Sequence, residues 1–266
     1  MIIIKAVFIG ILEGLTEFLP VSSTGHMILA DQFIQLSENP VFTNAFQVII
    51  QLGAILAVVY LFWDRLWIFK GWKLKKDTLG LWFKILLAVL PAAVLGLRYD
   101  DALSASFFKP FPVAVALIFY GVVLIVIENV LGRGAKPPLS SVQRIGWGRA
   151  FVLGLFQCLA LIPGTSRSAA TIIGGLLLGL SRQAAAEFSF FLAIPTMCGA
   201  ALLKIAKVGG DFSPLGWLII AIGFTASFLT AVIVLRLFLD YIQKHNFKLF
   251  GWYRIGLGLL VLWFLR

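Results

Sequence analysis

Glu13-Gly-Leu-Thr-Glu17-Phe-Leu-Pro20-Val-Ser-Ser-Thr-Gly-His26 interrupts an otherwise apolar stretch covering residues 2–36. A second polar string, Pro163-Gly-Thr-Ser-Arg-Ser-Ala-Ala-Thr171, interrupts another, residues 150–181. Proline in the first and Pro-Gly in the second break each stretch into halves of about 14–18 residues, too short to cross a bilayer. Interrupted backbone is tolerated at lipid depth only where it is buried in protein or lines a wet cavity. Both stretches therefore read as re-entrant helical hairpins whose tips lie inside the membrane.

The rest of the chain supports that reading. Of its 266 residues 61% are hydrophobic, and mean hydropathy is +0.99, far above a soluble globular composition. Six continuous apolar spans read at residues 42–63, 79–98, 112–131, 186–206, 214–237 and 250–265. The expected fold is an all-α integral membrane protein, one membrane domain over 1–266, with six transmembrane helices and two re-entrant hairpins. The N-terminal apolar run has neither a preceding basic region nor a convincing small-residue cleavage site, so it is expected to stay in the mature protein.

Net charge is +10, and the basic residues fall in short loops rather than along a nucleic-acid-binding face. Arg65, Lys70, Lys73, Lys75, Lys76, Arg133, Lys136, Arg144, Arg149, Arg182, Arg236, Lys244 and Lys248 land on one side if six spans alternate. Lys5, Arg98, Lys109, Lys204, Lys207 and Arg266 land on the other, while Lys84, Arg167 and Arg254 fall within spans. The positive-inside bias puts the larger set in the cytoplasm and both termini outside. Cys158 and Cys198 lie in apolar surroundings and read as packing residues.

The order is hairpin, three spans, hairpin, three spans. Three is odd, so the second hairpin enters from the opposite face, which is the arithmetic of an inverted-topology repeat. Repeat one covers about 1–135 and repeat two about 148–266, joined by the Gly132, Gly134, Pro137 and Pro138 loop. Leu19–Gly25 matches Ile162–Ser168 in pattern.

Ionisable groups at lipid depth are costly unless paired or wetted, so they are candidates for function. Glu13 and Glu17 are spaced i, i+4 and share a helical face. Paired carboxylates repel unless protonated or bridged by a cation, and Mg²⁺ or Ca²⁺ commonly links carboxylate to substrate phosphate. Ser22, Ser23 and Thr24 precede a helix whose free N–H groups form an anion site, and a serine there becomes a nucleophile if a base is near. His26, three residues after Ser23, is the histidine at lipid depth; His245 falls in a basic loop. In the second string, Thr165, Ser166, Ser168 and Thr171 surround Arg167, whose planar fork suits phosphate oxygens. Glu187, Gln51, Gln47, Gln157 and Glu128 read as supporting or structural residues.

The two strings resemble the signature motifs of the bacterial undecaprenyl-diphosphate phosphatase family, also called bacitracin-resistance proteins. Phe46-Gln-Val-Ile-Ile-Gln-Leu-Gly, Phe156-Gln-Cys-Leu-Ala-Leu and Glu187-Phe-Ser-Phe extend the likeness along the chain. The resemblance implies that Glu13, Glu17, Ser23, His26, Ser166 and Arg167 form the active site, with Thr171 ending the second motif. It implies an inner-membrane enzyme with a divalent cation at Glu13 and Glu17. The implied reaction converts the C55 isoprenoid diphosphate to its monophosphate and recycles the carrier for peptidoglycan synthesis. The site would open to the outer, periplasmic face, and overproduction would confer bacitracin resistance. Expected partners are the lipid diphosphate and membrane lipids, not nucleic acid, with a homodimer left open. Serine against water as nucleophile, and Glu17 against His26 as base, also stay open. The competing readings are a phosphatidic-acid-type phosphatase, which needs a second well-placed histidine, and a transporter that flips a lipid phosphate without cleaving it.

Overall fold

Helix caps and apolar runs account for most of the observed elements. The computed structural model describes residues 1–107, 109–131, 139–208 and 212–264. Helices α1 (Ile2–Thr16) and α2 (Ser23–Phe33) flank the first break, followed by α3 (Pro40–Leu61) and the single turn α4 (Trp63–Leu66). A two-residue hairpin, β1 (Phe69–Lys70) with β2 (Lys73–Leu74), leads into α5 (Lys76–Phe107) and α6 (Pro110–Leu131). Helices α7 (Trp147–Cys158) and α8 (Arg167–Leu177) flank the second break, followed by α9 (Arg182–Val208), α10 (Pro214–Lys244) and α11 (Lys248–Phe264). Asn39 caps α3 ahead of Pro40, and Ser213 caps α10 ahead of Pro214; proline suits a first helical turn because its missing N–H has no intrahelical partner there anyway.

Among the described residues five helices are long and apolar enough to cross a membrane: Pro40–Leu61, Lys76–Tyr99, Pro110–Val130, Arg182–Ala206 and Pro214–Lys244. The chain is a helical, multi-pass membrane protein. The sixth expected span, 250–265, corresponds to α11, whose 17 residues lie at the short end of the lengths that cross a bilayer. Helices α5 and α10 run well past the expected limits of 98 and 237, because hydropathy marks membrane depth and not the end of a helix. The expected joint at Gly132, Gly134, Pro137 and Pro138, with Arg133, Lys136 and Arg266, lies outside the described residues. Leu90, Val94, Phe119, Leu229, Ile233 and Leu237 face outward and exposed, a belt that suits lipid rather than water.

Small residues set the helix crossings. Gly10 and Gly14 of α1 lie against the backbone carbonyls of Gly223 and Ser227 in α10, and Gly154 of α7 lies against that of Ala88 in α5. Close approach at small residues is how helices associate where no water drives them together. The pairings match one another: α1 on α10 and α7 on α5, α2 beside α11 and α8 beside α6, with α3 on α9 and α6 on α11. At one end, Arg182 forks onto Glu128 at 2.9 and 2.6 Å, and Glu128 also accepts from the Phe247 N–H. Arg65 reaches Glu187 at 2.7 Å beside it on α9. Glu128 and Glu187 thus bind loop ends together. Cys158 and Cys198 are free thiols, partly buried.

Candidate active site

Helix α1 stops at Thr16, whose hydroxyl donates to the Leu12 carbonyl at 2.7 Å, and Glu17 keeps helical angles as its C-cap. The chain then turns through Pro20 and restarts at Ser22, the N-cap of α2, whose Oγ accepts from the Gly25 N–H. The second break repeats the device. After Ile162-Pro-Gly-Thr, Ser166 caps α8 and its Oγ accepts from the Ala169 N–H. Ser22 and Ser166 have φ of 73° and 72°, the only non-glycine residues with positive φ among the described residues. Such angles cost about 1–3 kcal/mol each and persist only where surrounding contacts impose them. The caps also correct the sequence match: Ser22 is equivalent to Ser166, not Thr165, because one more residue separates Pro163 from its cap. Ser23 and Arg167 therefore occupy the same position, the first residue of each helix.

These two residues converge on one carboxylate. The Ser23 hydroxyl donates to Glu17 Oε2 at 2.9 Å, and Arg167 Nη2 donates to Glu17 Oε1 at 3.2 Å. Arg167 Nη1 donates to the Ser189 carbonyl at 2.8 Å. Ser189, on α9, also takes a 2.7 Å bond from Thr171, which itself holds the Arg167 carbonyl. Ser168 donates to the Leu19 carbonyl at 2.9 Å and lies 2.9 Å from Ser166 Oγ, so the two breaks touch. Ser23, Thr24, Ser166 and Arg167 are half-buried, whereas Glu13, Glu17, Ser22, Thr165, Ser168 and Thr171 are buried.

Three buried polar atoms here have no partner among the described residues: Glu13 Oε1, Thr165 Oγ1 and Arg167 Nε. Buried polar groups are nearly always satisfied, so these three atoms leave hydrogen-bonding capacity beside the two breaks. Glu13 lies one helical turn before Glu17, whose N–H donates to the Glu13 carbonyl. No group of three or more His, Cys, Asp or Glu side chains with metal-site geometry occurs among the described residues. The orphaned carboxylate oxygen next to a second carboxylate still fits a hard cation completed by substrate oxygens.

His26 is tied elsewhere. Its Nδ1 is 2.8 Å from the Ser22 carbonyl and its Nε2 is 2.7 Å from the Tyr253 hydroxyl, with the two rings stacked. Neither nitrogen bonds to Ser23, whose hydroxyl is directed to Glu17. Sequence reasoning missed three participants. Tyr253 is an ordinary polar residue of an apolar helix and gives no local signal, while Ser189 lies inside the Glu187-Phe-Ser-Phe string but is given no role by it. Arg254 reads only as a charge within the last span, although that placement alone marks a candidate. Gln157 also gains meaning: Gly154-x-x-Gln157 in α7 repeats Gly10-x-x-Glu13 in α1, and both glycines sit against a partner helix's carbonyl. An amide thus stands where the other break has a carboxylate.

The fold and site define a helical membrane protein that gathers a hydroxyl and a guanidinium onto one carboxylate at two broken helices. The family model for bacitracin resistance protein BacA matches residues 6–260, and the chain belongs to that family. It is 50% identical over 263 residues to undecaprenyl-diphosphatase 1 of Clostridioides difficile (strain 630), covering 98% of this chain and 95% of the relative. It is also 50% identical over 265 residues to the undecaprenyl-diphosphatase of Enterococcus faecalis, covering 98% and 96%. The Streptococcus mutans undecaprenyl-diphosphatase is 49% identical over 269 residues, covering 98% and 95%.

Proposed function

We propose that the chain hydrolyses undecaprenyl diphosphate to undecaprenyl monophosphate and phosphate, recycling the carrier for cell-wall synthesis and conferring bacitracin resistance. The observation that carries this reading is the Ser23–Glu17–Arg167 constellation with its unpartnered polar atoms, in a chain half identical to proteins of that name. Ser23 is the nucleophile and Glu17 its base, since a hydroxyl bonded to a carboxylate is the arrangement that activates it. As Ser23 Oγ bonds to the terminal phosphorus, its proton passes to Glu17 Oε2, and the bridging P–O bond breaks to release the lipid monophosphate. A water then attacks the phosphoserine, inorganic phosphate leaves, and Ser23 regains its proton. Arg167 and the N–H groups opening α2 and α8 hold phosphate oxygens and stabilise the developing charge, commonly the largest catalytic term. Thr165, Ser166, Ser168 and Thr24 complete the polar lining. Ser22 and Thr171 hold the two helix starts in place, and His26 with Tyr253 orients the first turn of α2.

Glu13 and Glu17 would hold the divalent cation, Mg²⁺ or Ca²⁺, which when bound neutralises diphosphate charge.

The matched helix pairings and the twin serine caps support an inverted-topology repeat, about 1–135 and 148–266, with α1–α2 and α7–α8 as re-entrant hairpins and α11 as the sixth span. The enzyme lies in the bacterial cytoplasmic membrane with the site open to the outer face. Phosphate release from undecaprenyl diphosphate by the purified protein in detergent tests the reading. Transbilayer movement of the lipid without phosphate release would replace it with the transporter reading.

A further inference from the structure

Arg254 projects from α11 into the space between the two breaks and is fully buried. Its Nη2 donates to the carbonyls of Gly164 and Thr165, both at 2.9 Å, and its Nη1 to the Pro20 carbonyl at 3.2 Å. Its Nε donates to the Leu117 carbonyl of α6 at 3.4 Å. Among the described residues no carboxylate forms a salt bridge with it. A buried cation compensated by backbone dipoles alone is an expensive way to fill space, and an apolar side chain of similar volume is usually as good or better for stability. What the guanidinium does that an apolar side chain cannot is hold several acceptors in one rigid plane. Those acceptors sit just ahead of the two helix starts: Pro20 two residues before Ser22, and Thr165 immediately before Ser166.

We propose that Arg254 is a positioning residue for the phosphoryl transfer. It locks the first break, which carries Glu17 and Ser23, to the second, which carries Arg167, and so fixes the nucleophile against the phosphate-binding fork. The same lock holds the positive φ of both caps, because the carbonyls it grips fix the chain entering each serine. This role rests on the phosphatase reading above. Lysine keeps the charge at this position but offers a point of donors in place of the fork, so charge and geometry are separable.

The test uses the full-length protein in detergent with Arg254→Lys and Arg254→Met. Four quantities are measured: kcat, KM for undecaprenyl diphosphate, thermal unfolding, and amide exchange over residues 19–26 and 162–169. Arg254→Lys should fold with KM little changed and kcat lowered roughly 10- to 100-fold, the cost of a misplacement near 1 Å. Exchange should rise in both peptides together while α3 and α10 stay protected. Wild-type kcat in either folded variant overturns the proposal, as does faster exchange in one peptide alone. Failure of both variants to fold overturns it too, by making Arg254 a requirement of assembly. If the wild type releases no phosphate, the phosphatase reading fails by itself, and the exchange data still report whether Arg254 joins the two breaks.

Discussion

Ser23 and Arg167 open two different helices and bond to the two oxygens of a single carboxylate, that of Glu17. Glu17 therefore joins the candidate nucleophile to the candidate phosphate fork, and its loss disturbs both.

Ser23→Ala and Glu17→Gln should each lower phosphate release by at least about 100-fold, equivalent to roughly 3 kcal/mol of transition-state stabilisation. Both variants should insert and elute like the wild type. The double variant should be no worse than the poorer single one, since groups acting as a unit are not additive. Turnover by a folded Ser23→Ala protein near the wild-type rate would assign the attack to water.

Arg167→Lys should retain binding better than catalysis. Lysine keeps the charge but cannot span Glu17, Ser189 and a phosphate with one planar group. The expected result is a kcat loss exceeding the rise in KM. Equal turnover for lysine and arginine would show that charge alone suffices there.

Much of this candidate site is legible in the sequence. The breaks at Pro20 and Pro163 are visible because polar strings interrupt long apolar stretches, and every candidate catalytic residue lies in those strings. What stayed hidden depends on tertiary contact. Ser189 and Tyr253 become relevant only when α9 and α11 pack against the breaks. The contact partner of Ser23 was open in sequence because His26 and Glu17 are both within one or two turns; the turn at 17–22 directs the hydroxyl to Glu17. Helix length at α5 and α10 is not legible from hydropathy, because the backbone stays helical beyond the apolar run.

Phosphate release should vanish in EDTA and return with Mg²⁺ or Ca²⁺. Glu13→Gln should raise the metal concentration needed for half activity, because it removes one of two adjacent carboxylates. Full activity of the metal-free protein would remove the cation from the proposal.

Cysteines replacing Leu74 and Asn246 should react with a membrane-impermeant thiol reagent only from the cytoplasmic side, as the basic asymmetry of the loops requires. Labelling in intact cells would reverse the orientation and the face to which the site opens.

Gly154→Val should destabilise the protein by roughly 1–3 kcal/mol, the usual cost of overpacking, since its side chain would meet the Ala88 carbonyl of α5. Thermal unfolding in detergent measures this. An unchanged midpoint would mean that α7 and α5 can separate without loss.

Gln157, standing where α1 has Glu13, has a meaning beyond packing. If the two halves descend from one ancestral segment, that ancestor, paired with an inverted copy of itself, offered two equivalent workplaces, one toward each side of the membrane. In the present chain the first break carries Glu13, Glu17 and Ser23, the second carries Arg167, and an amide, Gln157, stands in place of a second Glu13. Under the proposed inverted repeat, a two-way architecture would have become one-directional by its side chains alone. Restoring a glutamate at 157 would then be a step back toward a protein indifferent to which face of the bilayer it serves.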